Sequence, residues 1–200
     1  ILPLLKASLE EAKVSLNKID GIAVTCGPGL VGSLLIGLSV AKGLSYSLKK
    51  PLIGINHLEG HIFSNFLEHP GLLPPFVCLV VSGGHSTLVH VKDKGDYRVL
   101  GRTRDDAPGE AFDKVARILD LEYPGGPSID RIAQKCESGG VRFPRAFLEE
   151  GSFDFSFSGL KTAVAIYVSK LSPQEREKQR ECIAMWFQES IVDVLVDKSL

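Results

Sequence analysis

Residues 56–62 read Asn-His-Leu-Glu-Gly-His-Ile, two histidines four positions apart with a glutamate between them. On a helix, positions i and i+4 share one face, so His57 and His61 can point two imidazoles at one cation. A metal needs more protein ligands than two, usually a carboxylate from elsewhere. The zinc-peptidase patterns set their glutamate beside one of the two histidines. Glu59 instead occupies the middle position, about 200° around the helix from His57 at 3.6 residues per turn. From there it cannot serve a water held between the two rings. Asn56 suits the N-cap of a helix and Glu59 then falls at N3, a variant of the capping box. The spacing by itself leaves two readings open, a metal pair or two partly buried imidazoles with ordinary hydrogen-bond partners.

The elements that must carry these residues follow from periodicity and punctuation. A helix is predicted over 1–16, a strand over 20–26, a turn at Gly27-Pro28-Gly29, a helix over 30–48 and a strand over 52–55. The apolar run 76–82 and the alternating run 86–92 flank Gly83-Gly84, which reads as a tight hairpin. A further strand at 96–104 precedes helices at 109–120 and 127–136. A looser aromatic-rich stretch at 140–157 leads to helices at 159–170 and 174–199. The pattern is mixed α/β, with no internal repeat and no low-complexity segment.

The chain has 200 residues, 44% of them hydrophobic, enough to bury a full core. Its 23 basic and 24 acidic residues nearly cancel, which neither argues for nucleic acid nor excludes it, since binding needs only a local basic patch. Cys26, Cys78, Cys136 and Cys182 form no C-x-x-C pair and read as reduced, buried thiols of a cytosolic protein. The stretch 30–48 holds Lys42, three glycines and four serines, too polar a composition for a membrane span. Ser33, Gly37 and Ala41 form a small-residue stripe that lets another element approach closely, within the chain or across a subunit interface. No signal peptide is visible. The first residues are already in helical rhythm without an initiator Met, and the last have no cap, so the chain reads as a fragment of a longer protein.

Four blocks, "KGLSYSLKKPLIGINHLEGHI" (42–62), "LVVSGGH" (79–85), "DDAPGEAFDKVARILDLEYPGGP" (105–127) and "FDFSFSGLKTAV" (153–164), occur in the order in which they stand in the tRNA threonylcarbamoyladenosine synthase (TsaD) family. The chain resembles that family along essentially its whole length. The resemblance implies an actin-like, ribonuclease-H-like two-lobe α/β fold, present here in part, with residues 1–200 as the central portion of the enzyme. It implies transfer of a threonylcarbamoyl group from threonylcarbamoyl-AMP to N6 of adenosine 37 in tRNAs that read ANN codons. It makes His57 and His61 ligands of one divalent cation, Fe2+ or Zn2+. It further implies a cytoplasmic enzyme that meets the tRNA anticodon arm, a TsaB-type paralogue and a TsaE-type ATPase, with no membrane partner. Family members also carry an N-terminal phosphate-loop block, a glycine-rich adenosine block and a later aspartate that completes the metal site. None of the three lies in these 200 residues, so a chain this short would bind metal poorly and catalyse little.

The remaining motifs can be read both ways. Val80, Val81, Ser82, Gly83 and Gly84 sit at a hairpin tip, where missing side chains let backbone N–H groups approach an anion. The resemblance assigns that loop the phosphate and acyl end of the donor. Asp113 lies on a helix, where it either pairs with Arg117 one turn on or accepts hydrogen bonds from a ribose, as acidic residues do in dinucleotide folds. Pro127 suits a first helical position, after Gly126, whose backbone can approach a nucleoside. Asp130 matches a nucleoside-contacting position of the family, or is a solvated charge near Arg131 and Lys135. Asp105, Asp106 and Glu110 read as helix N-terminal charges. Ser158–Thr162 reads as a helix start, and Arg142, Arg145 and Lys161 as a basic rim or as ordinary surface cations. A small-molecule kinase of the same fold, a metalloprotease and a non-catalytic paralogous scaffold are the rival functions. The histidine pair argues against the first and third, and the placement of Glu59 against the second.

Overall fold

The computed structural model describes residues 1–136, 140–146 and 151–200. It falls into two compact units, Ile1–Leu72 and Leu73–Leu200.

In the first unit, α1 (Leu2–Ala12) ends where Lys13 turns left-handed at φ 55°, and its N–H closes back on Glu10. The helix therefore stops short of residue 16, and a single 3-10 turn spans Leu16–Lys18. Strand β1 (Ile22–Gly27) pairs in parallel with β2 (Leu52–Asn56), Ile22 opposite Leu52 and Thr25 opposite Ile55. Two parallel strands need a crossover, supplied by α2 (Val31–Leu48). Two residues of the small-residue stripe serve this packing: a Cβ on Gly37 would stand 3.8 Å from the Val24 side chain, and Ala41 is buried, while Ser33 is exposed. In length and apolar content α2 does reach what a membrane crossing requires, contrary to the expectation from Lys42 and the serines. One such helix is weak grounds for a membrane protein. Helix α3 (His57–Glu68) follows β2 without a loop, because Asn56 caps it. The Asn56 Oδ1 accepts from the N–H groups of Leu58 (2.9 Å) and Glu59 (3.3 Å), satisfying two of the four donors a helix start leaves without partners. The reciprocal bond of a capping box, from the Asn56 N–H to the Glu59 side chain, is not found among the described residues.

The second unit holds an antiparallel sheet in the order β3 (Phe76–Val81), β4 (Ser86–Asp93), β5 (Asp96–Arg102). The β4–β5 turn uses Gly95 at φ 85°, a conformation open to glycine without a Cβ clash. Helices α4 (Pro108–Ile118), α5 (Gly125–Ala133), α6 (Ser158–Ser169) and α7 (Pro173–Ser199) share the core with this sheet. Leu88, Ala111, Val115, Ile129, Phe155, Val164, Phe187 and Ile191 are almost fully buried there. Each large side chain among them contributes about 1.5–3 kcal/mol, so this unit is built on a deep apolar core. In the first unit, Ala41 and Ile62 are the buried apolar residues. Helix α5 starts two residues before the predicted Pro127. Pro127 occupies its third position, which Pro tolerates because the first-turn N–H groups have no intrahelical acceptor anyway.

Residues 153–157, read from sequence as loose, run beside the end of β5. The Arg104 N–H donates to the Phe155 carbonyl, and the Phe155 N–H to the Arg102 carbonyl (3.0 Å). The Asp154 carboxylate accepts from the Arg102 N–H and from Arg104 Nε, each at 2.9 Å. Residues 147–150 of the same stretch lie outside the described residues.

The cysteines depart from the expected reduced, buried set. Helices α5 and α7 pack side by side, which brings Cys136 and Cys182 to a Cα–Cα distance of 5.1 Å in a disulfide, within the range a disulfide needs. Compartment statistics carry no information on such proximity. Cys26 is exposed, and Cys78 is half-buried with its thiol pushed up by burial.

Two outcomes follow. Iodoacetamide in denaturant should label two of the four cysteines without reductant and all four after reduction, counted by intact mass; four labels without reductant would remove the bridge. Asp154 is held below the usual carboxylate range, first by the Arg102 backbone N–H and then by Arg104. A depressed folded value makes its stabilisation present above the unfolded value of about 3.9 and lost as pH falls through the folded one. Asp154→Asn should therefore flatten the stability-versus-pH curve of urea unfolding below about pH 4 and lower its neutral plateau.

Candidate active site

The histidine pair sits where two helix starts and a strand end converge. β1 and β2 run parallel, and α2 and α3 begin beyond their C-terminal ends, the edge where open α/β sheets take ligands. The His57 and His61 rings lie 4.7 Å apart between centroids, inclined at 42°, both on exposed residues. The His57 Nδ1 stands 3.2 Å from the Pro28 carbonyl oxygen. A carbonyl only accepts, so this contact places the proton on Nδ1 and leaves the Nε2 lone pair for a cation. A cavity of about 540 Å3 opens beside His57, lined by Thr25, Pro28, Gly29 and Ser33 among others. Two adjacent imidazoles, one with its tautomer held by a carbonyl, suit a borderline divalent cation. No group of three or more His, Cys, Asp or Glu able to hold a metal occurs among the described residues, so the pair by itself falls short of a full ligand set.

The glycine hairpin belongs to the second unit. Val80 is buried, Val81 is exposed at the strand end, and Ser82 to His85 form the turn. The Ser82 N–H donates to the His85 carbonyl at 2.8 Å, and the His85 N–H to Ser82 Oγ at 3.2 Å. Gly83 and Gly84 are exposed between them, with open space where side chains would stand. His85 thus closes the turn through its backbone. The first turn of α4 presses against this hairpin: a Cβ on Gly109 would lie 2.6 Å from Gly83 Cα.

Asp113, half-buried on α4, accepts the Gly125 N–H at 2.7 Å through Oδ1. That bond takes the place of the sequence-based pairing with Arg117, and no ion pair between them is found among the described residues. Gly125 is needed at this crossing because a Cβ there would come within 2.6 Å of Asp113 Cα. A cavity of about 370 Å3 lies alongside, lined by Glu110, Asp113, Lys114, Arg117, Tyr123 and Gly125 among others. Gly126, one residue on, faces open space. Asp130 is exposed but not merely solvated. Gln134 Nε2 (3.1 Å) and Gln188 Nε2 (3.0 Å) donate to its two oxygens, tying α5 to α7, in place of Arg131 or Lys135.

Two of the three cations read as a basic rim are committed internally. Arg145 grips Asp193 through Nε (2.8 Å) and Nη2 (2.5 Å) and donates to the Phe143 carbonyl. Lys161 lies 3.0 Å from Asp106. Arg142 is exposed. Glu110 acts as a helix N-terminal charge, accepting the Ala107 N–H at 3.3 Å. Asp105 instead caps α6, which sequence reasoning missed, since its partners stand more than 50 positions away.

A family model described as TsaD, tRNA N6-adenosine threonylcarbamoyltransferase, matches residues 1–200. Among curated relatives, the tRNA N6-adenosine threonylcarbamoyltransferase of Clostridium novyi (strain NT) is 56% identical over 193 residues, covering 96% of this chain and 57% of that protein. Its namesake in Clostridioides difficile (strain 630) is 54% identical over the same shares. The chain thus spans a little over half the length of these relatives. Among solved structures, an uncharacterized protein with similarity to peptidase YEAZ from Pseudomonas aeruginosa aligns at a TM-score of 0.40 and 23% identity, over 55% of this chain and 54% of that one.

The two close backbone approaches predict a contrast. Gly109→Ala and Gly125→Ala should each lose about 1–3 kcal/mol in urea unfolding, because backbone must move to admit the methyl. Gly126→Ala, facing open space in a helix, should be neutral or stabilise by up to about 1 kcal/mol. Equal effects at all three positions would contradict the crossings described.

Proposed function

The chain belongs to the tRNA N6-adenosine threonylcarbamoyltransferase family, and from that premise we propose that it is the central portion of a two-lobe acyltransferase that moves threonylcarbamate from threonylcarbamoyl-AMP to N6 of adenosine 37 in tRNAs reading ANN codons. The observation that carries the reading is the His57–His61 pair at the C-terminal edge of a parallel strand pair, one imidazole oriented by Pro28 with Nε2 free. His57 and His61 would hold a divalent cation, iron(II) or zinc, as part of a larger ligand set. When bound, such an ion supplies Lewis-acid polarisation of the carbamoyl carbonyl.

Residues of the second unit would contribute to donor binding. The exposed backbone at Gly83 and Gly84 offers N–H groups to the phosphate and acyl end of the donor, with Ser82 closing the turn and Val80 and Val81 anchoring the hairpin. Asp113 spends Oδ1 on Gly125 and keeps Oδ2 for a ribose hydroxyl. Gly126 lets a nucleoside lie against backbone, and Asp130 holds α5 through its two glutamines. The adenosine N6 attacks the carbamoyl carbon, so that a C–N bond forms, the C–O bond to the adenylate phosphate breaks, and AMP leaves with the electron pair. The amine proton passes to solvent. The target base must leave its loop stack to reach the donor. A TsaB-type paralogue, a TsaE-type ATPase and a cytoplasmic setting complete the reading. The metalloprotease reading is disfavoured by Glu59, exposed at the third position of α3.

The test uses the full-length protein. His57→Ala with His61→Ala should abolish bound iron or zinc in elemental analysis and lower transfer of threonylcarbamate to tRNA on the order of 100-fold or more. A double variant with full metal content and full transfer overturns the site. Casein cleavage by the wild type would favour the protease instead.

A further inference from the structure

The loop between β5 and α4 carries two adjacent carboxylates to which the reading above assigns no part. Asp105 faces the start of α6. Its Oδ1 accepts the N–H groups of Phe157 (2.9 Å) and Ser158 (3.2 Å), and its Oδ2 accepts the Ser156 hydroxyl (2.5 Å). α6 has no side-chain cap of its own, so Asp105 supplies one from more than 50 residues away. Asp106, its side chain 14% exposed, receives two ammonium groups, Lys114 of α4 on Oδ1 and Lys161 of α6 on Oδ2. Its own carbonyl accepts the Thr103 hydroxyl at 2.8 Å.

Burial raises the Asp106 carboxyl, but the two lysines outweigh it and hold the group below its ordinary value. It is therefore ionised at neutral pH, and Lys114 also feels the charges of Glu110 and Asp105. Without the Asp106 carboxylate, the two ammonium groups would lose the one anion that both of them touch. They stand on the two helices whose starts meet at this loop. One of those starts, at Gly109, lies against Gly83 with no room for a methyl group. Any displacement of the α4 start is thereby passed to the backbone of the hairpin.

We propose that Asp106 is a positioning residue for the acyl donor: by drawing Lys114 and Lys161 onto one carboxylate it fixes the first turn of α4, and through Gly109 the N–H groups of the glycine hairpin. The inference rests on the donor role of residues 82–84 in the reading above. Asp106 touches no substrate; it acts through α4.

In the full-length protein with its partner subunits, Asp106→Asn should raise the KM for threonylcarbamoyl-AMP about tenfold, since small misplacements of binding groups are costly. The KM for tRNA should stay within about twofold, and kcat within about threefold, because the variant disturbs donor binding and not the tRNA surface. Lys161→Met, which keeps the Lys114 contact, should move the donor KM in the same direction by a smaller factor, and it carries the test if Asp106→Asn does not fold. A purely structural role would lower the thermal midpoint without separating the two KM values. An unchanged donor KM in a folded variant overturns the positioning role while leaving the function intact. Absence of transfer by the wild type would instead overturn the function.

Discussion

Backbone-to-backbone proximity around α4 is the constraint on which the second unit depends. The helix is held at its start and at its middle by contacts that leave no room for a glycine Cβ, Gly109 against Gly83 and Gly125 against Asp113. Side chains between helices can adjust by changing rotamer, but main chain against main chain cannot. The hairpin, α4 and the start of α5 therefore hold a single relative arrangement. Three of the proposed donor-binding positions, Gly83, Asp113 and Gly126, lie on or next to those contacts. The apolar core beneath, with Val115, Phe157, Phe187 and Ile191, provides the stiffness that such proximity needs.

The first unit works differently. Its apolar residues are half-buried or exposed with few exceptions, Leu30 and Val31 at about 80% exposure, and its order comes from backbone pairing and a cap. What it contributes is direction. A parallel strand pair sends two helix starts toward one edge, Asn56 lets α3 begin with no intervening loop, and His57 is consequently the first helical residue. One turn on, His61 shares its side. The Pro28 carbonyl then selects which imidazole nitrogen keeps its lone pair.

Much of this was legible in the residues alone. Period-2 and period-3.6 patterns located, among the described residues, the five strands and six of the seven α-helices to within about four positions, because Gly, Pro or capping residues punctuate the runs. The helix beginning at His57 could be read from Asn56, and the hairpin from Gly83-Gly84. What stayed hidden depends on partners distant in the chain. Asp113 looked like half of an i, i+4 ion pair because Arg117 is near in sequence, whereas its partner is an N–H twelve residues on. Asp105 and Asp106 looked like charges at the start of α4, whereas their contacts reach α6. Cys136 and Cys182 looked like unrelated thiols until helix packing placed them together. Cys26 sits in an apolar run, yet it is exposed where the register of β1 becomes irregular between Thr25 and Gly27, out of step with half-buried Ile22 and Val24.

The disulfide has a topological consequence. Cys136 and Cys182 are 46 positions apart and enclose the segment that runs from α5 through α6 into α7. A protease cutting at any single peptide bond between them would open a ring rather than release a tail. The two halves would remain one covalent molecule, Asp105 still seated on the start of α6, and the scission would become visible as a change in apparent mass once the sulfurs were reduced.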